Sequence, residues 1–169
     1  MKRLALLLPT VAGAADVQLS IEIPRLDVAE YHRPYVAVWI EKPDRSVAAD
    51  LAVWYDVKMK DNEGEKWLKD LRQWWRKSGR SAEMPIDGVS SPTRPPGKQQ
   101  LKVSKLDLPV LTEGEYTVVV EASREVGGRE LVRLPFKWDG STAVKSSASG
   151  KKELGEVTLD ITSAPTTQP

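Results

Sequence analysis

The pattern that most constrains this chain is an apolar repeat of period two. From Val17 to Ile23, Val17, Leu19, Ile21 and Ile23 fall on one face and Gln18, Ser20 and Glu22 on the other, and the run stops at Pro24. Successive side chains of a strand point to opposite faces, so such a run buries one face of a sheet and wets the other. Tyr35 to Glu41 repeats the pattern, with Val36, Val38 and Ile40 opposed to Ala37, Trp39 and Glu41. Asp50 to Lys58 is read as a third strand with Leu51, Val53, Tyr55 and Val57 inward, and the turn Pro43-Asp44-Arg45-Ser46 makes it a hairpin with the second. Four more strands are expected at Gln100–Leu106, Glu115–Arg124, Glu130–Trp138 and Gly155–Thr162, with Gly127-Gly128 as a tight hairpin. Seven short strands at regular spacing predict an all-β fold, an immunoglobulin-like β-sandwich. Val38, Ile40, Val53, Tyr55, Val118 and Val120 should form its core. The chain has no cysteine, so that core must stabilise the domain without disulfides.

One segment breaks the period. After Asn62-Glu63-Gly64, Trp67, Leu71 and Trp74 recur at helical spacing, with Leu68 and Trp75 widening the stripe, and Ser78-Gly79 is a plausible stop. An inserted amphipathic helix over Glu65–Lys77 is expected. Residues 79–98 read as a long Pro- and Gly-containing loop, and such loops are commonly functional or mobile. Gly140–Gly150, rich in serine, reads as a flexible loop.

The ends and the composition narrow the function. Lys2 and Arg3, the apolar run Leu4–Val11 and Ala12-Gly13-Ala14 resemble a secretory signal of residues 1–15. The run is shorter than the ~20 residues a membrane span needs. A domain over 16–162 and a disordered tail over 163–169 complete the expected organisation, with a periplasmic or secreted location. Basic and acidic residues number 25 and 24, which gives no charge excess to draw the chain to nucleic acid. One histidine and no cysteine leave no ligand set for zinc, and the carboxylates lack a calcium-loop spacing. Gly-x-Ser-x-Gly is absent. A stand-alone enzyme is not expected.

Two stretches remain as candidate sites. Asp87-Gly88-Val89-Ser90-Ser91-Pro92-Thr93 offers hydroxyls among small neighbours, suited to attachment of a group or simply to connecting helix and strand. The expected helix interleaves Trp67, Trp74 and Trp75 with basic residues, Arg72 among them, as a docking face for a flat ring or an acidic partner. The plainer alternative is that Trp67, Leu71 and Trp74 cap an open end of the sandwich while the basic residues are solvated. His32 is expected to be structural, and Arg33 and Arg124-Glu125 to take part in a buried Arg–carboxylate pair.

Several segments together resemble a family of predicted periplasmic proteins, DUF2271. They are His32–Glu41, Trp67-Leu68, Leu71, Trp74-Trp75, Asp87–Gly97, Gly114-Glu115-Tyr116, Ser123-Arg124-Glu125 and Gly127-Gly128. That family is often encoded beside PepSY-type membrane proteins and FMN transferases. The 87–93 stretch resembles the sequence in which such a transferase joins FMN, through its phosphate, to a threonine hydroxyl. The resemblance implies covalent FMN on Thr93, with Asp87, Ser90 and Ser91 around it, an FMN transferase and a PepSY-type redox protein as partners, and an electron-relay role. Pro92 stands where the family has alanine, and Val126 where it tends to have histidine. The alternative function is a cofactor-free accessory module that binds a partner through the Trp67–Trp75 face.

Overall fold

A computed structural model describes residues 15–104, 108 and 111–163. The expected signal and the tail beyond Ser163 lie outside the described residues. Nine strands form two sheets: β1 (Ala15–Ile23), β2 (Tyr35–Glu41), β3 (Val47–Tyr55), β4 (Ser90–Pro92), β5 (Gly97–Val103), β6 (Gly114–Ser123), β7 (Arg129–Trp138), β8 (Val144–Ser149) and β9 (Glu156–Ser163). One sheet has the order β5-β1-β9-β8 and the other β4-β3-β2-β6-β7; all pairs are antiparallel except β3–β4. The β-sandwich expected from the alternation is the fold.

The main core lies between the sheets. Val17, Leu19, Ile21 and Ile23 of β1 meet Val36, Val38 and Ile40 of β2 and Val118, Val120 and Leu134 of β6 and β7, all fully or almost fully buried. A second apolar layer covers the outer face of the five-stranded sheet. There Tyr35, Ala37, Trp39, Val53, Tyr55 and Val119 pack against Leu68, Leu71 and Trp74. Every residue of β2 is therefore buried, which suits its nearly unbroken apolar run.

The third strand is a correction to the sequence reading. It spans Val47–Tyr55 rather than Asp50–Lys58, and its pairing with β2 shifts register between Val38 and Trp39, opposite Ala52 and Asp50. Leu51 is the extra residue of this bulge, and one extra residue inverts the phase of all that follow. Val53 and Tyr55, expected between the sheets, lie in the outer layer, while Ala52 and Trp54 take the inner positions.

The inserted helix is also different. It consists of a 3-10 segment Lys60–Asp70, a six-residue helix α1 (Arg72–Lys77) and a 3-10 turn Gly79–Ser81, with a break at Leu71 (φ −75°, ψ 72°). The buried positions are Leu68, Leu71 and Trp74, spaced by three, as a 3-10 register demands. Trp67 falls off that stripe and is 48% exposed.

Three carboxylates from the outer face hold these helical segments down. Glu121 accepts the N–H groups of Gln73 and Trp74 at 2.9–3.1 Å, two donors with no intrahelical partner in so short a helix. Trp74 Nε1 donates to Asp50 Oδ1 at 3.0 Å, and the Lys77 ammonium stands 3.4 Å from Glu41. Burial raises the Asp50 pKa above its ordinary value.

Residues 140–150, expected to be a loop, contain β8, whose alternating exposure turns Val144 and Ala148 to the core while its serines pair along β9. Beyond β8, the turn 150–155 is built on Glu130. Its carboxylate accepts the N–H groups of Lys151, Lys152, Glu153 and Leu154. Burial pushes the Glu130 pKa up, but these four donors outweigh it and hold the group below its ordinary 4.5. A folded value below the unfolded one means stability that is present above pH ~4.5 and lost as pH falls through the folded value. Glu130→Gln should therefore lower the urea midpoint at pH 7. The gap to wild type should narrow as both are titrated toward pH 3; a gap independent of pH would contradict this role.

Candidate functional site

The ends of four strands of the five-stranded sheet gather at one place. Tyr35 opens β2 opposite Ser123, the last residue of β6, and Ser123 faces Arg129 at the start of β7. Asp56 follows the end of β3. Together with the helical segments, they enclose a cleft of about 760 Å³ lined by Tyr31–Arg33, Asp56, Met59, Trp67, Asp70, Arg72, Thr93 and the 123–129 hairpin. That volume lies within the range of small-molecule and cofactor sites.

Thr93 reaches the cleft through β4. The expected loop 79–98 is tied down here, because Ser90, Ser91 and Pro92 pair in parallel with Val53, Trp54 and Tyr55. Pro92 is tolerated because β4 is an edge strand. Continuing this register sets Thr93 beside Asp56, and its Oγ1 donates to Asp56 Oδ1 at 3.4 Å. The next residue, Arg94, lays its guanidinium 5.2 Å from the centre of the Trp54 ring.

The sequence-derived site residues separate into two groups. Thr93, Trp67 and Arg72 line the cleft together. Asp87, Ser90 and Ser91 do not. Ser90 Oγ accepts the Ile86 N–H at 2.9 Å and closes the turn that carries Asp87 and Gly88, and Ser91 is committed to β4. The Trp67–Trp75 docking face is corrected: Trp74 is fully buried beneath α1, and Trp75 is half-buried and packed on the outer layer. Of the three tryptophans, Trp67 alone is exposed.

Tyr31, Asp56, Met59, Asp70 and Arg129 were not singled out by the sequence. Their only signal is position: several adjoin segments that carry the family resemblance, and those segments, far apart in the chain, converge on this cleft. Charge in the cleft is mixed. Arg33, Arg72, Arg124 and Arg129 line it with His32, against Asp56, Asp70 and Glu125. Arg129 pairs with Glu121 at 2.8 Å, and His32 Nε2 lies 2.7 Å from Glu30. Arg33 and Arg72 make no ion pair with any described residue.

Arg124 is built differently from the others. It is 5% exposed, and Nε and one terminal nitrogen reach Glu153 at 2.9 and 3.1 Å as a bidentate pair. The expected buried Arg–carboxylate pair thus exists, but Arg124 uses Glu153 from the 150–155 turn of the other sheet. Glu125 is exposed and stands 3.6 Å from His32 Nδ1. Gly127 lets the guanidinium lie flat on the hairpin, since a Cβ there would come within 2.4 Å of Arg124 Cζ. Between them Val126, a β-branched residue, holds φ +52° while 72% exposed. Such strain collects at functional sites. Among the described residues no group of three or more His, Asp or Glu gathers as a metal site.

A two-sheet sandwich whose strand ends form one arginine-lined cleft with an exposed tryptophan defines the class. The chain belongs to the family described as predicted periplasmic protein (DUF2271), whose model matches residues 16–156. No curated protein and no solved structure matches it. No helix among the described residues is long and apolar enough to cross a membrane.

Proposed function

We propose that this protein is an electron carrier rather than an enzyme, with FMN joined to Thr93 by an FMN transferase. One observation carries the reading: Thr93 lines a cofactor-sized cleft that also holds an exposed tryptophan and two arginines without ion pairs among the described residues. The donor set suits the group. Arg33 and Arg72 complement phosphate, Trp67 offers a face to a flat ring, and the sealed, unpartnered nitrogen of Arg124 leaves a charge to be met. When bound, the flavin supplies the redox chemistry, and the chain supplies attachment, orientation and shelter from water. Asp56, beside Thr93 on the same cleft, accepts a long hydrogen bond from its hydroxyl. The exposed side chains Met59 (46%), Trp67 and Val126 border the opening, where a PepSY-type membrane redox protein would approach.

Co-expression with an FMN transferase, followed by in-gel flavin fluorescence and peptide mass mapping, tests the reading. Wild type should be labelled on the peptide containing Thr93, and Thr93→Ala should abolish labelling without changing the melting temperature, since a loop threonine with one long hydrogen bond contributes little. Absence of label on both wild type and Pro92→Ala would discard the carrier role. The cofactor-free, partner-binding module would then be the better account.

A further inference from the structure

Two polar atoms on residues that line this cleft have no partner among the described residues. The second terminal nitrogen, Nη1, of Arg124 and the hydroxyl of Tyr31 are both buried and accept or donate no hydrogen bond among the described residues. They belong to one arrangement: the Arg124 guanidinium lies 6.0 Å from the centre of the Tyr31 ring. Burial raises the Tyr31 pKa, so the phenol keeps its proton and remains a donor near neutral pH. Buried N–H and O–H groups are almost always satisfied, and a cationic N–H left bare is among the more costly exceptions. Glu153 already occupies the other edge of the guanidinium. It fixes the fork and leaves the free edge as the place for another oxygen.

The surroundings specify what that oxygen belongs to. Asp56, Asp70 and Glu125 share the cleft, but Arg33 and Arg72 make no ion pair among the described residues, and with the free edge of Arg124 they offer three guanidinium groups to an anionic partner. Trp67 and Met59 on the same cleft are about half exposed, which gives the rest of the ligand an apolar wall. Access runs past Tyr31, which sits on the connection between Ile23 and Tyr35, a stretch with no strand or helix. A small shift of this connection breaks no sheet pairing, so the path can open while Tyr31 stays at the site to donate.

We propose that Arg124, Tyr31, Arg33 and Arg72 form a reversible binding subsite for a small organic oxyanion, a carboxylate or phosphate monoester on a flat apolar body that lies against Trp67. The subsite needs no bond to Thr93, so it goes beyond the flavin reading and stands if Thr93 is never modified. In a flavin-loaded protein, the same subsite would receive a small anionic electron acceptor or the flavin itself.

The test is isothermal titration of the chain purified from a host without FMN transferase, using phenyl phosphate, benzoate and inorganic phosphate. Saturable one-site binding of phenyl phosphate or benzoate is expected, and the tighter of the two identifies the anion. Inorganic phosphate should bind at least several-fold more weakly than phenyl phosphate, and Trp67→Ala should remove that difference. Tyr31→Phe keeps the ring over the guanidinium and should weaken binding about tenfold, the loss of one hydrogen bond to a charged group. Arg72→Gln, at an exposed position outside the Arg124–Glu153 pair, should weaken it several-fold with unchanged melting. Arg124 itself is left intact because its pair with Glu153 supports the fold. No saturable heat with either aromatic anion, or affinity unchanged in both Tyr31→Phe and Arg72→Gln, would overturn the proposal. The labelling experiment at Thr93 reads a covalent bond and this one a reversible equilibrium, so either can fail alone.

Discussion

Val118→Asp will abolish cooperative folding. Val118 is fully buried and pairs with Ile40 of β2 and Leu134 of β7 on the face between the sheets. An aspartate there has neither water nor a cation, and the outer-face carboxylates Glu41 and Glu121 show what one needs to survive burial: each has an arginine and further N–H donors. Leaving a carboxyl unpaired in an apolar core costs several kcal/mol even if it is protonated, comparable with the whole ~5–15 kcal/mol stability of a domain. Circular dichroism on heating should show no transition. The contrasting control is Thr117→Asp, on the neighbouring half-buried position of β6, which should keep a cooperative melt. A normal melt for Val118→Asp would mean that this face does not meet the second sheet.

The second large effect is expected at Glu153. Glu153→Ala leaves the Arg124 charge buried without its bidentate partner and strips the acceptor from the Gly128 N–H, which now lies 2.9 Å from Glu153 Oε1. Breaking one side of a buried pair costs about 3–5 kcal/mol, whereas replacing both partners by apolar residues of similar size is often near neutral. Urea unfolding of Glu153→Ala, Arg124→Met and the Arg124→Met/Glu153→Leu double variant should show the double variant more stable than Glu153→Ala. Strictly additive losses would mean that the pair does not couple the 150–155 turn to the β6–β7 hairpin. Because that pair joins a turn of one sheet to a hairpin of the other, its loss should also loosen the floor of the cleft.

How far the sequence foretold this depends on the range of the forces involved. Strand β2 was legible to the residue and β1, β6, β7 and β9 to within one or two, because a sheet with one face on a core writes its own alternation. The helical insert was legible as a change of period but not as three short pieces. A stripe at Trp67, Leu71 and Trp74 fits an α-helix as well as Leu68, Leu71 and Trp74 fit a 3-10 register. Contact with Tyr35, Trp39 and Tyr55 beneath chose the latter and left Trp67 outside. Strand β8 is not legible because its serine-rich run carries almost no apolar alternation; pairing with β9 supplies what its side chains do not.

The sequence by itself determined the class: alternating apolar runs with no cysteine leave a β-sandwich as the way to bury them, and the segments carrying the family resemblance belong to the chain whatever its fold. Tertiary structure decided everything that depends on residues far apart in the chain. The bulge at Leu51 moved Val53 and Tyr55 to the outer layer, a phase change that no single strand reveals because it exists only between two. The parallel pairing of β4 with β3 brought Thr93 to Asp56 while fixing Ser90 and Ser91 away from the cleft. Arg124 found Glu153 rather than the adjacent Glu125, since neighbours in a tight hairpin diverge while the turn of the opposite sheet lies within reach. A site made of strand ends becomes visible only once the strands are in order, because its residues share one end of a sheet and no stretch of sequence.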